Sequence, residues 1–299
     1  MPDIIGGYGG HISQGALGGG SEAAIPCVRT WGITHSANLN EAVCSASRGA
    51  KIRVDGNHTW SGQFTMYGAS PSIWIGEKFE FEGAITGAAG AAVGASGDVI
   101  CDSIALAWDQ EGGGILGTTI AFTGSGVLTL GTVTVPADTS VPAPQSSKGL
   151  LLKLATPAAS PSYASLGELR TMSLTFSQAT QVAHTAAGAG WPTAVRGPLD
   201  AAFSATVYAR DSDGWLFLPQ PNSTYFAQLF VDDSTFWLIK SLKFGELSGM
   251  DVDIEGGTIV GATISGGFTA VSYYGAAWNL GKIVKPDTTI VWPELLLIP

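Results

Sequence analysis

The side chains able to do acid–base or metal chemistry are few in this chain, and their order does not make them converge. Four histidines, His11, His35, His58 and His184, show no His-x-His or His-Glu-x-x-His spacing that would favour a metal. The one carboxylate pair that recurs is Asp109 with Glu111, matched by Asp253 with Glu255. Two residues apart on a strand, such carboxylates share a face, which would suit acid–base catalysis or Ca²⁺. Both pairs run straight into glycines, Gly112 and Gly113 in one case and Gly256 and Gly257 in the other. Hairpin turns need glycine at positive φ, so the carboxylates read better as flanks of a turn. Asp211-Ser-Asp213-Gly starts like a calcium loop but lacks the bidentate Glu and its spacing. The runs Gly6–Gly10 and Gly18–Gly20 lack the preceding strand, the Lys-Ser/Thr and the following helix of a phosphate loop. Nine tryptophans would suit a sugar site, but in a chain so poor in charge they fit a core and interfaces better. No catalytic, cofactor-binding or metal-ligating residue is assigned, and no enzymatic activity is expected.

Composition points to assembly. Hydrophobic residues make up 45% of the 299, enough for two cores, while charged residues make up only 13%. That is about half the usual share of roughly 25%. A free monomer keeps charge on its surface, whereas obligate interfaces lose it. The formal net charge of −10 argues against specific binding to nucleic acid, which calls for clustered Lys and Arg. Mean hydropathy is +0.25, yet no apolar run approaches the ~18 residues of a spanning helix, so no membrane partner is expected. Cys27, Cys44 and Cys101 have no paired spacing and read as small hydrophobes in a reducing cytoplasm.

The chain repeats itself. Adding 141 to each number from Arg29 to Gly56 lands on Arg170 to Gly197, and 9 of these 28 pairs are identical, including Arg29/Arg170, Thr34/Thr175 and Ser36/Ser177. The same offset pairs Tyr67 with Tyr208. Asp109–Ile120 matches Asp253–Ile264 at 8 of 12 positions, with Gly117 paired to Gly261, at an offset of 144. The division expected is a flexible Gly-rich arm (1–26), repeat one (27–134), a Pro/Ser/Ala-rich linker (135–166), repeat two (167–293) and a short tail (294–299).

The elements that must carry these residues alternate with the period of strands. Lys51–Asp55, Phe79–Glu82 and Ser204–Arg210 each place apolar or small residues on one face, and Phe236–Phe244 makes a longer apolar strand. Asn38–Ala46 and Ala179–Ala187, at matching positions of the repeats, are the two stretches that could make a short helix. The fold class expected is mostly β: two tandem related antiparallel β-sandwich or partly closed barrel domains, each with at most a short helix.

Two related β units, acidic and charge-poor, with Arg29 and Arg170 at matching strand starts and two Asp-x-Glu-Gly-Gly-x-Ile-x-Gly-x-Thr-Ile hairpins, resemble the tail tube proteins of long-tailed phages. The resemblance covers residues 27–293 and rests on architecture and composition. It implies a structural virion protein, the major tail tube subunit, made in the host cytoplasm. Duplicated members of that family form homotrimers with pseudo-sixfold symmetry, stacked into a tube that contacts other tail proteins. DNA would pass through without specific binding. Asp55, Glu80, Glu82, Asp211 and Asp213 are the acidic residues expected to line such a channel, from strand alternation. The rival expectation is a capsid decoration protein or a virion adhesin.

Overall fold

The computed structural model describes residues 10–15, 17, 23–44, 48, 50–68, 73, 75–85, 90–109, 114–136, 151–156, 162–165, 168–208, 223–230, 236–248, 261–268, 282–284 and 289–290. They form an almost wholly β, antiparallel, sandwich-like architecture that does not close into a barrel. Among the described residues no helix is long and apolar enough to cross a membrane, which leaves membrane-crossing strands unaddressed.

The first repeat supplies β1 (His11–Gly15), β2 (Ala23–Ala24), β3 (Val28–Val43), β4 (Lys51–Tyr67), β5 (Lys78–Ala84), β6 (Gly90–Asp109), β7 (Gly117–Gly124) and β8 (Thr129–Val135). The second supplies β9 (Leu151–Ala155), β10 (Ala164–Ser165), β11 (Glu168–Gln178), β12 (Gln181–His184), β13 (Pro192–Val195), β14 (Leu199–Tyr208), β15 (Thr224–Phe230), β16 (Phe236–Ser248), β17 (Gly261–Phe268), β18 (Lys282–Val284) and β19 (Thr289–Ile290). Pairing repeats along with sequence. β1 pairs β2 as β9 pairs β10, and β1 pairs β5 as β9 pairs β15. β5 pairs β6 as β15 pairs β16, β6 pairs β8 as β16 pairs β18, and β4 pairs β7 as β14 pairs β17.

The structure refines two readings of the sequence. β1 lies in the supposed flexible arm and β9 in the supposed linker, and Ile12, Leu152 and Leu154 are buried in them. Each is an opening strand of its repeat, so each repeat begins earlier than its composition suggests. The short helices are also absent from the described residues at those places. Asn38–Val43 continues β3, and Ala179–Ala187 holds β12 and the start of a 3-10 turn over Ala186–Gly188. Pairing with β4 in the first case and with β13 in the second overrides the weak helical tendency of these short stretches.

By chain contacts the molecule divides into two compact units. Unit 1 comprises Met1–Ile104, Thr118–Ala143 and Ser177–Leu199; unit 2 comprises Ala105–Gly117, Pro144–Phe176 and Asp200–Pro299. Phe122 is the hub of the unit 1 core, with ring centroids 4.7 Å from Phe81 and 6.4 Å each from Phe64, Phe79 and Trp60. Such pairs add about 0.5–1.5 kcal/mol each beyond burial. The alternation that delivers them is strict: Phe79 and Phe81 are buried on β5, and Thr118, Ile120, Phe122 and Gly124 on β7. Gly62 on β4 makes room for the hub, since a Cβ there would stand 2.5 Å from the Phe122 ring. Unit 2 reverses this arrangement. Its equivalents are Phe203 (62 + 141) and Gly266 (122 + 144), which face each other in the β14–β17 register, and Phe203 is 2% exposed. One large ring and one glycine fill the same cross-strand slot from opposite sides, which conserves core volume.

Candidate functional site

Among the described residues, the outer half of the β3–β4 hairpin carries a concentration of exposed apolar side chains. Leu39, Val43, Ile52 and Val54 are 56%, 61%, 45% and 54% exposed. Register sets its faces, because directly opposed residues share a side. Leu39 faces Asp55, Glu41 faces Arg53 and Val43 faces Lys51, so these six form one face. On it Lys51 Nζ donates to Glu41 Oε2 at 2.5 Å and Arg53 Nε to Glu41 Oε1 at 3.0 Å. These two charge-assisted bonds hold the exposed Glu41 carboxyl below its ordinary pKa, with the Lys51 bond the larger cause. The other face carries Asn40 and Ala42 with Ile52 and Val54.

The β12–β13 hairpin of repeat two has the same register. Gln181↔Val195, Val182↔Ala194, Ala183↔Thr193 and His184↔Pro192 are Asn40↔Val54, Glu41↔Arg53, Ala42↔Ile52 and Val43↔Lys51 with 141 added throughout. Its turn repeats as well: Arg48 and Ala189, again 141 apart, hold left-handed φ values of 50° and 47°. That conformation costs a non-glycine residue roughly 1–2 kcal/mol, so its recurrence marks a shared turn geometry.

This second hairpin is seated within unit 1. Ala194 is 1% exposed and its N–H donates to Ser125 Oγ at 3.1 Å, while Thr193 and Val195 face outward. His58 N–H donates to the Gly190 carbonyl at 2.8 Å. Trp191 stacks on His58 at 4.5 Å and on His35 at 5.6 Å, and the two histidines are joined ring to ring, Nε2 to Nδ1, at 3.2 Å. A cleft of about 220 Å³ is lined by Thr34, Ser36 and Thr59 on the β3–β4 side and by Val182 and Pro192 on the hairpin.

Asp102 is the polar clasp of this seat. Its carboxylate accepts from the hydroxyls of Thr123 and Thr180, the latter arriving with the hairpin. Burial raises the Asp102 pKa, and the two hydroxyls pull it part of the way back. Beside it Cys101 is fully buried, and burial, with the nearby charges of Asp102 and Glu77, drives its thiol far up. That makes Cys101 a core hydrophobe rather than a nucleophile. Cys44 is exposed, Cys27 is half-buried, and none of the three cysteines is in a disulfide.

The residues singled out from sequence separate into three groups. Asp55 is exposed on the β3–β4 hairpin, whereas Glu80 and Glu82 are half-buried on β5, on the face opposite Phe79 and Phe81. Ser13 Oγ of β1 donates to Glu82 Oε2 at 3.5 Å. Gly117 and Gly261 open β7 and β17, at equivalent places, and Asp109 ends β6. Glu111, Gly112, Gly113, Asp211, Asp213, Asp253, Glu255, Gly256 and Gly257 lie outside the described residues. Among the described residues no group of three or more His, Cys, Asp or Glu could hold a metal ion. The His35–His58–Trp191 stack was missed in the sequence, because its members lie far apart in the chain and no local spacing signals them. The matched strand starts do acquire a shared geometry: Arg29 lies over the Tyr67 ring at 4.7 Å and Arg170 over Tyr208 at 5.5 Å.

No protein-family model matches the chain, and no curated protein matches it.

Proposed function

We propose that this chain is the duplicated structural subunit of a closed, symmetric virion assembly, the tail tube of a long-tailed phage. The observation that carries this reading is the pair of equivalent hairpins in one register, one seated and one projecting with its apolar side chains in water. A monomer gains nothing from holding Leu39, Val43, Ile52 and Val54 exposed, whereas a subunit that meets its neighbours buries them. The charged share of 13% points the same way. Three chains would supply six related units, and stacking such rings would leave a channel through which DNA passes without specific contacts. Its acidic balance would keep DNA from adhering, with Asp55, Glu80, Glu82, Asp211 and Asp213 as the residues to look for on its wall. Assembly would take place in the host cytoplasm, with other tail proteins meeting the tube ends. Negative-stain microscopy of the purified protein tests this. Stacked rings or tubes support it, and isolated particles that bind only to capsids would replace it with a decoration role.

A further inference from the structure

We propose that unit 1 binds a neutral oligosaccharide in a trough of about 690 Å³ on the outward side of β3, β4 and β7. Pre-formed ligand sites span roughly 300–1,000 Å³. Strand alternation builds the floor. Trp60 and Phe64 of β4 turn into the core, which sends Thr59, Ser61, Gln63 and Thr65 to the opposite side. Register sets Ser36, Thr34, Gly32 and Thr30 of β3 directly against them. Each of these eight is a hydroxyl, an amide or a glycine, where a merely solvated face would carry charge. At Gly32 nothing stands within 4 Å of where a Cβ would be, so the floor lies open there to the backbone. Thr123 of β7 and Asp102 of β6 complete the polar lining. The smaller cleft of about 220 Å³ shares Thr34, Ser61 and Thr123 with the trough and runs on to Val182 and Pro192. Two cavities with a shared lining make an elongated path, the shape for a chain of linked units.

The chemistry of the lining selects the ligand class. Asp102 is the one charged side chain among the residues lining either cavity, with no Lys, Arg or His beside it there. A phosphate or carboxylate would meet that negative charge without a counter-ion. Among the described residues no group of acids gathers to hold a metal ion. β4 is paired with β3 on one side and β7 on the other, so a peptide finds no free backbone edge on the floor. What remains are hydroxyls and an amide that both donate and accept, the match for the hydroxyls of a sugar. Asp102 takes one threonine hydroxyl on each oxygen, which leaves lone pairs for ligand hydroxyls. Val182 and Pro192 supply an apolar wall for the C–H face of a sugar ring.

Saturation-transfer NMR and isothermal titration calorimetry of the full-length protein test this. Maltotriose, cellotriose and triacetylchitotriose serve as neutral probes and trigalacturonate as the acidic one. At least one neutral trisaccharide should bind with millimolar affinity or better, and trigalacturonate should not bind. Gly32→Leu fills the floor from open space and should weaken binding about tenfold or more, with the circular dichroism spectrum unchanged. Thr34→Val keeps the shape but removes a hydroxyl that lines both cavities, and should weaken binding severalfold. Silence from all three neutral probes, equal binding of trigalacturonate, or binding that survives both substitutions would overturn the site. The trough lies within one unit of one chain, so its loss would leave the ring reading standing.

Discussion

At the outer end of β3 and β4, Glu41 faces Lys51 and Arg53 in solvent, while at the same register of β12 and β13 Val182 faces Ala194, which is 1% exposed. The backbone geometry is shared, down to the left-handed residue in each turn, so circumstance rather than fold separates the two hairpins. The one held against its own chain through Pro192 and Ala194 carries neutral side chains there, while Val182 and Val195 stay exposed. The one left in water carries an ion cluster beside Leu39 and Val43. Duplication followed by divergence gives this pattern: a contact satisfied within the chain can lose its charges, and a hairpin held in water keeps them.

The most damaging way to break the equivalence lies in the core. Phe122→Gly removes the hub of unit 1 and should cost about 4–5 kcal/mol of unfolding free energy, measured by urea denaturation. Adding Gly62→Phe copies the arrangement of Phe203 and Gly266, but its Cβ would also stand 2.6 Å from the Gly32 carbonyl, so it should recover only part of the loss. No recovery would show that the two cores are not interchangeable.

Next comes the seated hairpin. Ala194→Arg, which imports the side chain found at Arg53, buries a charge with no carboxylate facing it from Val182 and should cost about 3 kcal/mol or more. The reciprocal Arg53→Ala removes an exposed, solvent-screened partner of Glu41 and should leave the stability of the chain nearly unchanged. Equal effects at the two positions would erase the distinction between seated and projecting hairpins.

The clasp gives a smaller effect with a defined pH dependence. Asp102→Ala strands the hydroxyls of Thr123 and Thr180 and should cost about 1–3 kcal/mol. Burial raises the folded-state pKa of Asp102 above its unfolded value, so the folded protein binds this proton more tightly. Its contribution to stability is therefore fully present below the unfolded pKa and is lost as pH rises through the raised folded pKa. Asp102→Asn should remove that component, so that thermal melts from pH 3 to 7 lose one source of their decline with rising pH. A variant that steepens the decline would contradict the assignment.

The duplication was legible in the sequence because its best-kept residues do paired work: Arg29 and Tyr67, and Arg170 and Tyr208, keep one cation–π geometry in both repeats. The opening strands were not legible. His11–Gly15 and Leu151–Ala155 take equivalent places with no identical residue between them, and each lies near Gly- or Pro-rich stretches that read as unstructured. Backbone pairing to β5 and β15 positions these strands, and backbone pairing leaves little trace in side-chain identity. The core exchange of Gly62 and Phe122 for Phe203 and Gly266 looks like plain divergence until the cross-strand partners are known. The hairpin seat was hidden for a related reason. Thr180 reaches Asp102 and Trp191 reaches His58 across long stretches of chain, and periodicity carries no information about such meetings.

Native mass spectrometry of the full-length chain, followed over a dilution series, tests the central claim most directly. A closed ring of duplicated subunits predicts trimers, and masses that are whole multiples of a trimer as rings stack, with open intermediates scarce. A chain that remains a monomer across the series, or that stops at a dimer, would contradict it.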